Sequence, residues 1–208
     1  MENSLKNNEV ALVTGGTKGI GKAIADKLSD AGIQVVVTAR TAPEENKNGH
    51  YFIAADLTQP DSATMIATKI LEKYGRIDII VNNAGGNLSP GGGFSTILDE
   101  HWNKDWQMNF MSAVRINKVL LPSMIKQKSG VIINISTGAA RQPIWEMTMS
   151  YSSAKAALNV YSKALAFNDL LESMGEEKGG REWWLIFVVA AFAALCFELL
   201  VSWKFSNG

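Results

Sequence analysis

Short apolar runs alternate with amphipathic stretches through most of the chain. Apolar runs at residues 10–13, 34–38, 51–54, 77–81 and 131–135 predict five buried β-strands. Apolar positions at helical spacing predict helices at residues 20–28, 61–74, 106–127 and 151–171. Strands that are apolar throughout and alternate with helices are typical of a parallel sheet covered on both faces. The pattern therefore predicts an α/β fold, a doubly wound parallel sheet in a three-layer sandwich.

Composition and charge narrow the class of protein. The 208 residues include 20 basic and 20 acidic side chains, so the formal net charge is zero and gives no support to nucleic acid as a partner. A single cysteine, Cys196, excludes a disulfide-stapled secreted fold. The first nine residues are polar and lack the apolar core of a signal peptide, so catalysis is expected in the cytoplasm. His50 and His101 are far apart and no ligand cluster accompanies them, so no metal site is expected.

A glycine-rich turn follows the first predicted strand. Gly15, Gly19 and Gly21 open the first predicted helix, in a context where backbone amides at a helix N-terminus can hold phosphate. An ordinary glycine-rich turn is the alternative. The second strand ends in Arg40 rather than in the acidic residue that would bind the ribose of NAD. Arg40 and Lys18 suit a 2′-phosphate instead, which favours NADP(H) over NAD(H), unless both are plain surface charges.

A tyrosine and a lysine four residues apart offer acid–base chemistry. Tyr151 and Lys155 lie on one face of the last predicted helix. A tyrosine phenol has a pKa of about 10, and a nearby ammonium lowers that pKa by stabilising the phenolate. The pair therefore predicts a tuned proton donor, although a surface Tyr–Lys pair on a helix is a common alternative.

Five motifs, in this order, resemble the classical short-chain dehydrogenase/reductase family. They are Thr14-Gly15-x-x-x-Gly19-x-Gly21, Asp56-Leu57, Asn82-Asn83-Ala84-Gly85, Asn109 and Tyr151-x-x-x-Lys155. The resemblance covers about four-fifths of the chain and implies a Rossmann-like domain. It also implies a hydride transfer between a nicotinamide cofactor and a small carbonyl or alcohol substrate, and a homo-oligomer built through the helices at 106–127 and 151–171.

The resemblance also implies roles for individual residues. Tyr151 would be the general acid or base, Lys155 would bind the nicotinamide ribose, and Asn109 would hold a water in the proton relay. Asp56 would contact the adenine ring. The cofactor-binding set expected from the residues and the resemblance together is Gly15, Thr17, Lys18, Gly19, Ile20, Gly21, Arg40, Asp56, Leu57, Asn83, Ala84, Gly85, Tyr151 and Lys155.

The hydroxyl that would polarise the substrate carbonyl has two candidates. The family usually carries a serine pair at the end of the fifth strand, where this chain has Ser136 and Thr137. Thr137 occupies the second position and is preferred, because a threonine hydroxyl donates the same hydrogen bond, and Ser136 is the alternative. Trp145, Met147 and Met149 either line an apolar pocket or pack within their loop.

The resemblance ends near Met174, which divides the chain into three expected segments. They are an NAD(P)-binding domain at 1–174, a polar linker at 175–182 and an apolar segment at 183–203. As a helix the apolar segment would be about 31 Å long, close to the ~30 Å hydrocarbon thickness, so a membrane anchor is one interpretation. A substitute sixth strand at 185–189 with a helix at 190–201 is the second, and a truncated or frame-shifted gene is the third.

The sequence is therefore compatible with two functions. The first is an NADP(H)-dependent oxidoreductase. The second is a catalytically impaired nucleotide-binding or membrane-tethered interaction protein from a truncated gene, for which the absence of a recognisable C-terminal part is the main support.

Overall fold

The computed structural model describes residues 8–42 and 49–177, and for residues 167–177 it describes the backbone. In this part of the chain five strands alternate with helices. In chain order the elements are β1 (Val10–Thr14), α1 (Gly19–Asp30), β2 (Gln34–Ala39), β3 (Tyr51–Ala54), α2 (Pro60–Tyr74), β4 (Ile79–Asn82), α3 (Asp99–Trp106), a π-helical turn (Gln107–Met111), α4 (Ser112–Gln127), β5 (Val131–Asn134), a 3₁₀ turn (Gly138–Ala140) and α5 (Met149–Glu177). The first compact unit is Met1–Val160 and the second is Tyr161–Gly208, so the boundary falls within α5.

The five strands form one parallel sheet in the order β3-β2-β1-β4-β5. The chain builds outward from β1 through β2 and β3, and then returns to place β4 on the other side of β1. This order confirms the predicted doubly wound α/β fold. Ligands of such sheets bind at the carboxyl ends of the strands where the order reverses, which here is the edge between β1 and β4.

Successive residues of β1 belong to two separate cores. Leu12 points into the cluster that includes residues of α2 and α4, while Ala11 and Val13 belong to the cluster that includes Ala25 of α1. All three side chains are fully buried. The alternation follows from the two-residue period of a strand, and it explains why β1 is apolar throughout. Both faces of the sheet are therefore covered at β1, as the sequence pattern predicts, whereas at the edge strand β5 the side chains of Val131 and Ile133 are 53% and 43% exposed.

The two long predicted helices have different bounds in the structure. The stretch predicted as one helix at 106–127 contains the π-helical turn Gln107–Met111. The apolar pattern did not reveal this turn, because one extra residue in a turn leaves helical spacing on either side of it. The helix predicted at 151–171 begins at Met149 and continues to Glu177. Its polar end has the composition of a linker, but Glu and Met are good helix formers, so the helix extends past the predicted boundary.

The remaining segments predicted near the C-terminus lie outside the described residues. These are residues 178–182 of the expected linker and the apolar segment at 183–203. Within the residues that are described, the structure contains no helix long and apolar enough to cross a membrane.

Candidate active site

A cavity of about 580 Å³ lies at the carboxyl ends of the strands, in the first compact unit. It brings together residues that the sequence places more than a hundred positions apart. The predicted site residues in its wall are Gly15, Thr17, Lys18, Ile20, Gly21, Arg40, Leu57, Asn83, Ala84, Gly85, Ser136, Thr137, Tyr151 and Lys155. The remaining lining residues, which sequence reasoning did not single out, are Thr38, Ala39, Ala55, Leu88, Met108 and Ile135.

The glycine turn has a backbone that other residues would strain. Gly15 and Gly19 have φ angles of +65° and +56°, in the left-handed region. A Cβ atom on Gly21 would lie 2.2 Å from the carbonyl oxygen of Gly15 and 2.4 Å from Nδ2 of Asn83. Only glycine therefore lets α1 begin this close to β1 and β4. The first turn of α1 carries no acidic side chain, and the N-cap Lys18 makes no side-chain capping hydrogen bond, so this helix end suits an anion.

Thr14 joins the ends of β1 and β4. Its hydroxyl accepts hydrogen bonds from the backbone amides of Asn83 and Ala84, both at 3.0 Å. Asn83 in turn donates from Nδ2 to the carbonyl oxygens of Thr14 at 2.9 Å and Gly15 at 3.2 Å. These bonds hold residues 83–85 against the glycine turn, so two motifs far apart in sequence form one continuous wall of the cavity.

The Tyr–Lys pair belongs to the lining of the same cavity. Both side chains line the cavity, and Lys155 is only 3% exposed. Its ammonium donates a 2.9 Å hydrogen bond to the carbonyl oxygen of Ile135, the residue after β5. Burial lowers the pKa of Lys155 to about 8, so the group is still mostly charged at neutral pH. The buried ammonium and the Tyr151 phenol thus line the same cavity, and stabilisation of a phenolate by Lys155 stays a prediction.

Asn109 is buried in the π-helical turn and does not line the cavity. Its Oδ1 accepts a hydrogen bond from the Gly86 amide at 2.9 Å, and its Nδ2 donates to the Gly86 carbonyl oxygen at 2.9 Å and to the Asp105 carbonyl oxygen at 3.0 Å. A Cβ atom on Gly85 would lie 2.6 Å from Asn109 Oδ1 and 3.1 Å from Lys155 Nζ. The side chain of Asn109 therefore clamps the loop after β4 beside the lysine, and its role towards a water stays a prediction.

Two further predicted site residues lie outside the cavity wall. The Asp56 carboxylate accepts hydrogen bonds from the hydroxyl and the amide of Thr58, at 2.8 and 3.0 Å, and these bonds lower the pKa of Asp56. Its neighbours Ala55 and Leu57 line the cavity instead. Gly19 also lies outside the wall, although its conformation shapes the turn.

Of the predicted site residues that follow β5, some line the cavity and others do not. Ser136 and Thr137 both line the cavity, so the choice of hydroxyl stays a prediction. The Thr137 hydroxyl also accepts a 3.3 Å hydrogen bond from the Ala139 amide at the start of the 3₁₀ turn. Trp145, Met147 and Met149 do not line this cavity, but Trp145 and Met149 line a separate, mostly apolar cavity of about 200 Å³, as one of the two interpretations of these residues predicted. The two histidines do not meet, and the part of the chain that is described holds no cluster of His, Cys, Asp or Glu suited to a metal ion.

The topology defines a doubly wound α/β protein with its cavity at the carboxyl ends of the strands. Comparison with known proteins gives the family: a model described as short chain dehydrogenase matches residues 9–171, so the chain belongs to the short-chain dehydrogenase family. This membership confirms the resemblance that the five motifs predicted.

Similar proteins and solved structures agree with that membership. An uncharacterized oxidoreductase of Bacillus subtilis, YvrD, is 37% identical over 166 residues, which cover 76% of this chain and 62% of that protein. The 3-oxoacyl-[acyl-carrier-protein] reductase FabG of Vibrio cholerae is 32% identical over 169 residues, which cover 76% and 66%. The chain thus spans less than two thirds of the length of either relative.

Two solved structures with bound cofactor have the same fold. A metagenomic short-chain oxidoreductase in complex with NADP has a TM-score of 0.73 and 32% identity, covering 78% of this chain and 77% of that one. A variant of the actinorhodin polyketide ketoreductase with NADPH has a TM-score of 0.70 and 30% identity, covering 78% and 65%.

Proposed function

We propose that the protein is an NADP(H)-dependent oxidoreductase that transfers a hydride between nicotinamide and a carbonyl or alcohol substrate. One observation carries the proposal: the glycine turn and the pair Tyr151 and Lys155 line a single cavity. A nucleotide held by the first group would extend towards the second.

The residues of the cavity fit an anionic dinucleotide. Its described lining contains Lys18, Arg40 and Lys155 and no acidic side chain. The amides of the glycine turn and the N-terminus of α1 would hold the pyrophosphate, since an anion is favoured at that end of a helix. Arg40, directly after β2, would pair with the 2′-phosphate of NADP(H) through its planar guanidinium. NADP and NADPH bound to the two structural neighbours support the same cofactor.

The protein's own residues would handle the proton. Bound nicotinamide supplies the hydride for reduction or accepts it for oxidation. In reduction the Tyr151 phenol donates its proton to the carbonyl oxygen, so the carbonyl gains one hydride and one proton and becomes an alcohol. The Lys155 ammonium stabilises the phenolate that remains. The hydroxyl of Thr137, or that of Ser136, donates a hydrogen bond to the same oxygen as its charge develops.

A substitution at Tyr151 tests this assignment. The full-length protein is titrated with NADPH and with NADH by nicotinamide fluorescence, and carbonyl compounds are then screened for oxidation of the bound cofactor. We expect selective NADPH binding, and we expect Tyr151→Phe to lower kcat by about 10²- to 10⁴-fold while NADPH affinity changes far less, because the proton donor is lost and the other cofactor-binding residues remain. Turnover that survives in Tyr151→Phe would contradict the catalytic role.

A second candidate function has its own support. The residues expected to hold the cofactor's phosphates, Lys18, Arg40 and the glycine turn, line the cavity whether or not a substrate is turned over, so a domain that binds the cofactor without catalysis is the alternative. NADPH binding without turnover of any carbonyl by the full chain would favour this alternative. Failure to bind either cofactor would overturn both.

A further inference from the structure

Asp105 is a fully buried carboxylate that the proposed mechanism does not use. It lies near the end of α3 and has no solvent exposure. Its Oδ2 accepts hydrogen bonds from the hydroxyls of Ser89 at 2.6 Å and Ser150 at 2.5 Å, and its Oδ1 accepts from the Leu88 amide at 2.9 Å. Burying a carboxylate costs several kcal/mol unless hydrogen bonds compensate, so an apolar side chain would fill this place at lower cost. The cost indicates a role beyond filling space.

The carboxylate connects two segments that border the cavity. Leu88 and Ser89 belong to the loop after β4, and Leu88 lines the cavity. Ser150 is in the first turn of α5, directly before Tyr151. The hydroxyls of Ser89 and Ser150 also lie 2.6 Å from each other, so the two segments meet at Asp105 through both a shared acceptor and a direct contact.

The backbone of Asp105 adds a third connection. Its carbonyl oxygen accepts a 3.0 Å hydrogen bond from Asn109 Nδ2, and Asn109 holds Gly86 through two further bonds. The loop after β4 is therefore tied at Gly86 by Asn109 and at Leu88 and Ser89 by the Asp105 carboxylate. Both ties originate from the end of α3 and the π-helical turn.

We propose that Asp105 is a positioning residue for Tyr151. Through Ser150 it holds the first turn of α5, and through Leu88 and Ser89 it holds the facing loop, so the phenol keeps a fixed place relative to the cavity wall. Asp105 exchanges no proton in this role and touches neither substrate nor cofactor. The inference rests on the proposed function, because a precise place for the phenol matters only if Tyr151 transfers a proton.

The role predicts a loss of turnover without a loss of cofactor affinity. Asp105→Asn keeps the volume but replaces one acceptor oxygen with a donor that cannot serve Ser89, Ser150 and Leu88 together. Ser150→Ala removes one of the bonds. We expect kcat to fall by about 10- to 100-fold in each, because misplacing a reacting group by about 1 Å can cost about 10²-fold. The dissociation constant for NADPH should change far less than kcat, because the carboxylate of Asp105 accepts hydrogen bonds from Leu88, Ser89 and Ser150 and not from the glycine turn or Arg40.

Ser153→Ala is the matched control. It makes the same change on the same helix at an exposed position, where the hydroxyl bonds only within α5, to the Met149 carbonyl oxygen at 2.9 Å. We expect kcat close to that of the unchanged protein. Ser89→Ala is a milder variant at a half-buried position, and Ser89→Thr keeps the hydroxyl. Ser89→Thr should retain more of the kcat than Ser89→Ala does.

A second measurement does not depend on turnover. The chain has four tyrosines, so ring-labelled tyrosine gives few NMR signals, and Tyr151→Phe identifies that of Tyr151. We expect Asp105→Asn to shift the Tyr151 signal although the two residues lie on different helices, and we expect a larger shift in Ser150→Ala than in Ser153→Ala.

The two readouts separate the possible failures. If Asp105→Asn and Ser150→Ala lower the melting temperature but leave both kcat and the Tyr151 signal unchanged, Asp105 is only structural and the inference is overturned. If Asp105→Asn does not fold, Ser89→Ala and Ser89→Thr decide by the same two readouts. If the unchanged protein turns over no carbonyl, the proposed function fails, and the Tyr151 signal still shows whether Asp105 holds the phenol.

Discussion

At the scale of single residues, the burial of Lys155 makes stability depend on pH. Its pKa is about 8 in the folded protein, against about 10.4 for an unfolded lysine. Between these values the unfolded chain binds more protons, so the free energy of unfolding rises with pH. Below about pH 8 both states are protonated and the full penalty, about 3 kcal/mol, persists.

Lys155→Met should remove that dependence. The variant should lack the rise in the free energy of unfolding between about pH 8 and 10, measured by urea unfolding without nucleotide. At pH 7 it should be at least as stable as the unchanged protein, because the desolvated charge is gone. Lys69→Met, at an exposed position on α2, is the control and should keep the rise. A flat profile in the unchanged protein would contradict the burial of this charge.

The proposed preference for NADPH rests on single residues. Arg40→Ala should weaken NADPH binding by about tenfold or more and leave NADH binding unchanged, since a hydrogen bond to a charged group contributes about 1.5–3 kcal/mol. Fluorescence titration with both cofactors measures the ratio. Lys18→Ala is measured in the same assay. A selective loss of NADPH affinity would show that Lys18 also binds the 2′-phosphate, and no loss would show that it is a surface charge. Equal losses for NADPH and NADH in Arg40→Ala would contradict the 2′-phosphate contact.

At the scale of elements, the packing of α1 against the sheet depends on Gly21. In Gly21→Ala the new Cβ atom would meet the Gly15 carbonyl oxygen at 2.2 Å, and backbone cannot move aside cheaply. We expect weaker binding of both cofactors and a lower melting temperature. Gly138→Ala is the control, because a Cβ atom there meets nothing within 4 Å. Unchanged nucleotide binding in Gly21→Ala would show that the turn does not form the cradle.

Some of the helices and strands could be predicted from the sequence, and others could not. All five strands and the sheet's parallel class were predictable, because short apolar runs that alternate with helices are typical of a parallel sheet. The exposure of Val131 and Ile133 on β5 was not predictable, because an apolar run looks the same in a central strand and in an edge strand. The π-helical turn at Gln107–Met111 was not, because helical periodicity continues on either side of it. Asp105 was missed for a related reason. A lone aspartate on a helix is ordinarily a solvated charge, and its partners Ser89 and Ser150 are 16 and 45 residues away in sequence.

At the scale of the whole molecule, the family resemblance predicts a homo-oligomer built through the two long helices. Ile125 of α4 and Val160 of α5 are large apolar side chains that are 52% and 68% exposed. If these helices form the interface, Ile125→Glu and Val160→Glu should lower the mass of the full chain measured by light scattering, because a charge would be buried in the contact. Lys69→Glu on α2 should not. A monomeric unchanged protein would contradict the prediction.

Whether the protein attaches to a membrane depends on residues 178–208, which lie outside the described part of the chain. For the apolar segment at 183–203, a membrane anchor, a strand with a covering helix and a consequence of gene structure all stay predictions. Fractionation of the full chain between membranes and supernatant would distinguish the first from the other two.

Local pattern by itself determined the strands, the helices, the glycine turn, the Tyr–Lys pair and the family, because each depends on residue type and short spacing along the chain. Tertiary structure alone decided three things: that the glycine turn and Tyr151 share one cavity, that Lys155 is buried with a lowered pKa, and that Asp105 joins α5 to the loop after β4. All three depend on contacts between distant segments, and those contacts exist only once the strands have taken the order β3-β2-β1-β4-β5.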